Sequence, residues 1–146
     1  MIWLLRHGDA ADDSPDAERP LTDKGREQSR AAGAALAALG VDLSACLTSP
    51  KVRALETAVL ACKAAGGVEP QIEPKLGGGP FDAEALAAGL GDDVLLVGHD
   101  PDFSSAVHSL AGAQVRMKKG GLAGIHKGEL KLLLRPAELS AIAGHG

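Results

Sequence analysis

Residues 92–101 read DDVLLVGHDP. The aliphatic run Val94–Val97 is too short for a helix and is bounded by polar residues on both sides, the pattern of a strand buried on both faces. It ends abruptly: Gly98 and His99 follow at once, and Asp100-Pro101 then reads as a helix start. Two other stretches share this grammar. Residues 2–10, IWLLRHGDA, run from a short apolar strand into Arg6, His7 and Gly8. Residues 46–53, CLTSPKVR, run from an apolar stretch into Thr48, Ser49 and then Arg53.

Helical patterns separate these strands. In residues 21–40, LTDKGREQSRAAGAALAALG, Thr22 is the expected cap and Gly40 the stop. In residues 49–67, SPKVRALETAVLACKAAGG, Ser49 is the expected N-cap, Pro50 falls in the first turn and Gly66 ends the helix. A strand is expected around Ile72 and a short helix over DAEALAAGL, 82–90. Residues 120–136, GGLAGIHKGELKLLLRP, read as two strands joined by a Lys-Gly turn, with a last short helix from near Pro136. Residues 9–20, DAADDSPDAERP, are an acidic surface loop. Strands alternating with helices predict an α/β fold: a three-layer α/β/α sandwich around a mostly parallel central sheet, in one domain over residues 1–146.

Composition narrows the function. The 146 residues are 45% hydrophobic, with two Phe, one Trp and no Tyr, so the core is built from aliphatic residues and alanine. The net charge of −4 argues against a general binder of nucleic acid or membranes. Cys46 and Cys62 lie in apolar stretches without a CxxC spacing and are expected as buried free thiols, which fits a reducing compartment. The apolar start is too short for a signal segment or a membrane span, so the expected location is the cytoplasm.

In an open α/β sheet, ligands sit beyond the carboxyl ends of the strands. Arg6, His7, Arg53 and His99 would meet at that edge. Two guanidinium forks suit a phosphoryl group, and Arg53 in a first helical turn adds backbone N–H groups favourable to an anion. Like charge from the arginines would keep a neighbouring histidine neutral and so nucleophilic. Gly8 would let the backbone approach a ligand closely.

LLRHGDA, TSPKVRALETA and VGHDP, in this order, resemble the histidine phosphatase superfamily, also called phosphoglycerate mutase-like, and most of all its small SixA-type phosphohistidine phosphatases. The resemblance implies that His7 is the phosphorylated nucleophile, that Arg6 and Arg53 bind phosphate, and that His99 stabilises the transferring group. Ser49 and Gly8 would be structural. No metal is required, because the arginines already supply the positive charge, and no cofactor is expected. Many relatives carry an acidic proton donor between the second arginine and the second histidine. Here Glu73, Asp82 and Glu84 occupy that stretch without a recognisable donor motif, and Asp9 is the substitute candidate. Lack of a strong acid suits cleavage of a P–N bond, because imidazole is a far better leaving group than an alkoxide.

The expected substrate is therefore a phosphorylated protein such as a histidine phosphotransfer domain. The alternative is a small phosphorylated metabolite, an ester or a phosphosugar. Metal-dependent hydrolysis, suggested by HGD and GHD, is disfavoured by the arginines, and a non-catalytic phosphate-binding module by the intact set of four residues. His108, His126 and His145 read as incidental, and the Gly77–Gly79 run lacks the Lys-Ser/Thr of a nucleotide loop. A monomer is the simplest expectation.

Overall fold

The computed structural model describes residues 1–145. Six strands form one sheet: β1 Ile2–Arg6, β2 Ala45–Thr48, β3 Pro70–Ile72, β4 Val94–Gly98, β5 Leu122–His126 and β6 Glu129–Leu134. Their order is β3-β2-β4-β1-β5-β6. The first four in that order are mutually parallel, while β5 runs antiparallel to β1 and β6 antiparallel to β5. The β5–β6 hairpin turns at Lys127 and Gly128, both at positive φ, which matches the right-handed twist of paired strands.

Five helices cover the sheet: α1 Asp23–Ala38, α2 Val52–Ala65, α3 Ala83–Ala87, α4 Asp102–Ala111 and α5 Pro136–His145. The period-2 alternation of the strands sorts the core into two halves. Trp3, Leu5, Cys46, Leu95 and Val97 face α1, α2 and α5. Leu4, Leu47, Val94 and Leu96 face α3 and α4, where Phe103 and Val107 are fully buried. This is the three-layer α/β/α sandwich with a mostly parallel sheet. Cys46 and Cys62 are buried free thiols.

Two details depart from the sequence reading. Thr22 does cap α1, accepting from Gly25 N at 3.1 Å, but Ser49 does not cap α2. That helix begins at Val52 with Lys51 at its N-cap and no side-chain cap, because the Ser49 hydroxyl is engaged elsewhere. Loop 9–20 holds a 3-10 turn at Asp16–Glu18 that closes on the rest of the molecule.

Small residues set how closely the helices of one layer pack. A Cβ built on Gly33 of α1 would lie 2.0 Å from the Ala61 carbonyl oxygen of α2, so the two backbones touch there. Gly33→Ala gains about 1 kcal/mol of helix propensity yet must push the helices apart. We expect a net loss of about 1–3 kcal/mol by urea denaturation, and unchanged stability would contradict this packing.

Candidate active site

Strand register builds the site. Arg6 pairs with Gly98 across β1 and β4, and Thr48 pairs with Val97 across β2 and β4. The ladder continues past the strand ends, with His7 N donating to Gly98 O and Ser49 N to Val97 O, each at 2.9 Å. His7, Ser49 and His99 therefore stand side by side at the carboxyl edge of the sheet. The two imidazole rings lie 5.2 Å apart, centroid to centroid, and both are buried.

Each ring has one nitrogen committed. His7 Nδ1 is 2.7 Å from the Gly8 carbonyl oxygen. A carbonyl only accepts, so Nδ1 carries the proton and Nε2 keeps its lone pair. His99 Nε2 is 2.7 Å from Ser49 Oγ, and Lys51 N donates to the same Oγ at 3.2 Å. His99 Nδ1 is buried without a protein partner.

The arginines are gripped from behind. Arg6 Nη1 donates to the Met117 carbonyl at 2.9 Å. Arg53, on the first turn of α2, gives Nη1 to the Asp16 carbonyl at 2.6 Å and Nη2 to Asp16 Oδ1 at 3.2 Å. Lys51 Nζ lies 3.2 Å from Asp16 Oδ2. Both Nε atoms are buried and unpaired. Asp16 thus takes the outer edge of the Arg53 fork and leaves its Nε side open. Its carboxyl is held below the ordinary range, mainly by the hydrogen bond to Lys51 and then by the charge of Arg53.

Gly8 has the structural task that the resemblance implied. A Cβ there would sit 2.6 Å from the Gly25 carbonyl oxygen, and one on Gly25 would sit 2.0 Å from the Asp9 carbonyl oxygen. These two glycines lock the turn after β1 onto the first turn of α1. Thr57, one helical turn after Arg53, donates to Arg53 O at 2.7 Å and accepts from Gly8 N at 3.1 Å, tying α2 to the same turn. Asp9 accepts from the Thr22 hydroxyl at 2.8 Å and lies 3.7 Å from Lys119 Nζ.

Both imidazoles are held neutral. The His7 pKa is lowered to about 4, first by burial and then, against the Gly8 bond that raises it, by the charges of Arg53, Arg6 and Lys119. That of His99 falls to about 3 through burial, then the charges of His7, Arg53 and Lys51. Desolvation therefore outweighs the like-charge repulsion emphasised in the sequence reading.

The structure brings Arg6, His7, Arg53 and His99 to one edge of the sheet. Asp9 lies next to them in chain but is turned to Thr22 and Lys119. Glu73 caps the 3-10 turn at Pro74–Gly77 through Lys75 N, Asp82 caps α3 through Ala85 N, and Glu84 is exposed on α3. His108 and His126 are exposed, and the side chain of His145 lies outside the described residues. Among the described residues no three His, Cys, Asp or Glu side chains group as metal ligands. Thr57, Asp16, Lys51, Lys119 and the Met117 carbonyl are site components that the sequence did not point to, while Ser49, expected as a cap and a structural residue, also meets His99. Only Thr57 had a usable signal, its four-residue spacing from Arg53 on a helix.

A site of paired arginines and neutral histidines at a sheet edge is that of a phosphoryl-handling enzyme, and the comparisons agree. Residues 2–78 match the model of the histidine phosphatase superfamily, branch 1. An uncharacterized protein of Picosynechococcus is 33% identical over 144 residues, covering 90% of this chain and 87% of that protein. The chain belongs to the histidine phosphatase superfamily, and its activity class is that of a phosphatase. Its fold is similar to that of the protein histidine phosphatase SixA solved with tungstate, with a TM-score of 0.81, 24% identity, and coverage of 94% of this chain and 98% of that one. A putative α-ribazole-5'-P phosphatase from Escherichia coli shares the fold at a TM-score of 0.68 and 21% identity, covering 92% and 96% of the two chains.

The depressed pKa values fix the sign of a pH effect. Unfolded, each histidine takes up a proton near 6.5; folded, only near 4 for His7 and near 3 for His99. Below 6.5 the unfolded chain binds more protons, so this contribution is fully present above 6.5 and is lost as pH falls through about 4 for His7 and about 3 for His99. His99→Gln removes one of the two titrations. The drop in urea midpoint between pH 7 and pH 5 is expected to be smaller in the variant, and equal drops would contradict the assignment.

Proposed function

We propose that this chain is a single-domain, cytoplasmic, metal-independent phosphatase that uses His7 as nucleophile, forms a phosphohistidine intermediate, and dephosphorylates phosphohistidine in a protein such as a histidine phosphotransfer domain. One observation carries the reading. The buried side-chain nitrogens left without a partner among the described residues are Arg6 Nε, Arg53 Nε and His99 Nδ1, and all three belong to the cluster around His7. Buried donors are normally satisfied, so three orphans in one place form a receptor for an oxyanion.

The proposed chemistry has two in-line displacements. His7 Nε2 gives its lone pair to phosphorus while the substrate's P–N bond breaks, and the departing imidazole leaves neutral with a proton on its other nitrogen. Water then attacks phosphorus, releasing inorganic phosphate and restoring His7. In each step the equatorial oxygens are held by the two Nε–H groups. His99 adds Nδ1–H when the Ser49 hydroxyl donates to Nε2, the arrangement that serves a neutral ring. Gly8 orients the nucleophile, as its carbonyl holds Nδ1–H. The positive charges of Arg6, Arg53, Lys51 and Lys119 supply the electrostatic stabilisation and repel a divalent cation.

Asp9 is the proposed proton donor where one is needed. Its carboxylate is already taken up by the Thr22 hydroxyl and faces Lys119, so it is not free to serve a leaving group. This supports a substrate with a good leaving group over small phosphate esters or phosphosugars, the alternative substrates.

Side-by-side turnover of a phosphohistidine protein and a phosphosugar panel tests the reading. We expect the phosphoprotein to be preferred, and Asp9→Asn to leave its turnover intact while lowering any residual ester hydrolysis. Ester preference with equal sensitivity to Asp9→Asn would overturn the substrate assignment. Separately, Arg53→Ala is expected to lower kcat by roughly 10²–10³, as for loss of one preorganised donor, and His7→Ala to abolish turnover together with the acid-labile, base-stable phosphoryl label that the phosphohistidine intermediate leaves on the enzyme. Full turnover by His7→Ala would end the proposed mechanism.

A further inference from the structure

The segment between α4 and β5, residues 112–121, does two things at once. It backs the site: Met117 is buried, its N–H donates to Ser104 Oγ at 3.0 Å, and its carbonyl holds Arg6. Gly120 N in turn donates to the His7 carbonyl at 2.9 Å. Pinning Met117 inward throws its neighbours outward, so Arg116, Lys118 and Lys119 are exposed. Lys119 faces Asp9, whereas Arg116 and Lys118 have no ion-pair partner among the described residues. They line a hollow of about 300 Å³ with Leu133, Leu134 and Arg135, whose one acid, Glu138, is already paired to Arg135 at 2.7 Å.

These two free cations stand against the sign of the whole chain, which is −4. On the Arg53 side of the site the sign reverses. Loop 9–20 carries Asp13 and Glu18, exposed and unpaired among the described residues, beside Asp12 and Asp16, which are paired to Arg19, Lys51 and Arg53. A long polyanion would be repelled on that side. A partner with a local acidic cluster next to its phosphorylated residue meets only the favourable side.

We propose that Arg116 and Lys118 form a docking surface for acidic side chains flanking the phosphohistidine of a protein substrate. The proposal rests on the phosphohistidine reading above and adds a specificity element to it. The two cations lie outside the phosphoryl-binding cluster, so they select the partner and leave the chemical step alone. Being exposed, they act through attraction that salt screens.

The test uses synthetic peptides phosphorylated on a single histidine with phosphoramidate, one carrying three glutamates on one flank and one carrying three glutamines. The wild-type chain is expected to favour the glutamate peptide roughly 3- to 10-fold in kcat/KM at low ionic strength, through KM, with the preference fading at high salt. Arg116→Glu/Lys118→Glu should abolish or reverse the preference while turning over the glutamine peptide at the wild-type rate. Equal use of both peptides by the wild type, or a preference that survives the double substitution, overturns the docking surface and leaves the phosphohistidine reading standing. Failure of the wild type to hydrolyse either peptide overturns both.

Discussion

The structure depends first on the register of three parallel strands. Leu5 opposite Val97 and Arg6 opposite Gly98 leave no freedom in where His7 and His99 emerge, and Thr48 opposite Val97 places Ser49 beside them. A slip of one residue in either ladder would send one histidine to the other face of the sheet. That register is secured by burial on both faces: Leu4, Leu5, Leu95, Leu96 and Val97 are fully enclosed, so no alternative alignment keeps the same apolar area from water.

The second constraint is electrostatic. Four cations and two imidazoles share a partly dry site, an arrangement that opposes folding and favours a bound anion. The protein manages it by giving each cation a fixed contact that does not consume its working edge. Met117 and Asp16 take the outer nitrogens of Arg6 and Arg53, and Lys51 shares the Asp16 carboxylate. Burial then keeps both rings uncharged, so the positive charge stays on the guanidinium groups, the proposed holders of the phosphoryl oxygens, and a lone pair stays on His7 Nε2, the proposed nucleophile.

Much of this was legible in the sequence because strand ends and helix starts are local. The buried runs before Arg6, Ser49 and His99 located three strands, and Arg53, four residues after the expected cap, fell on the first turn of α2. The Lys127-Gly128 turn likewise announced the β5–β6 hairpin. What stayed hidden is long-range in chain. No local pattern says that Asp16 grips Arg53 across 37 residues, that Met117 holds Arg6 across 111, or that Ser49 serves a histidine 50 residues away and leaves the α2 cap to Lys51. Gly8 is a similar case: no local pattern says that its missing Cβ makes room for the backbone of Gly25. The ordering of causes behind the neutral histidines also needed the fold, since burial cannot be summed from neighbours in sequence.

In the proposed reaction one phosphoryl group touches His7 Nε2 while its oxygens reach Arg6 Nε, Arg53 Nε and His99 Nδ1. A crystal structure with orthovanadate, which takes up the geometry of a phosphoryl group in transit, examines this directly. Vanadium bonded to His7 Nε2, with equatorial oxygens on those three nitrogens, is the predicted result. Vanadate approached through His7 Nδ1, or seated where Arg53 or His99 cannot touch it, would contradict the account.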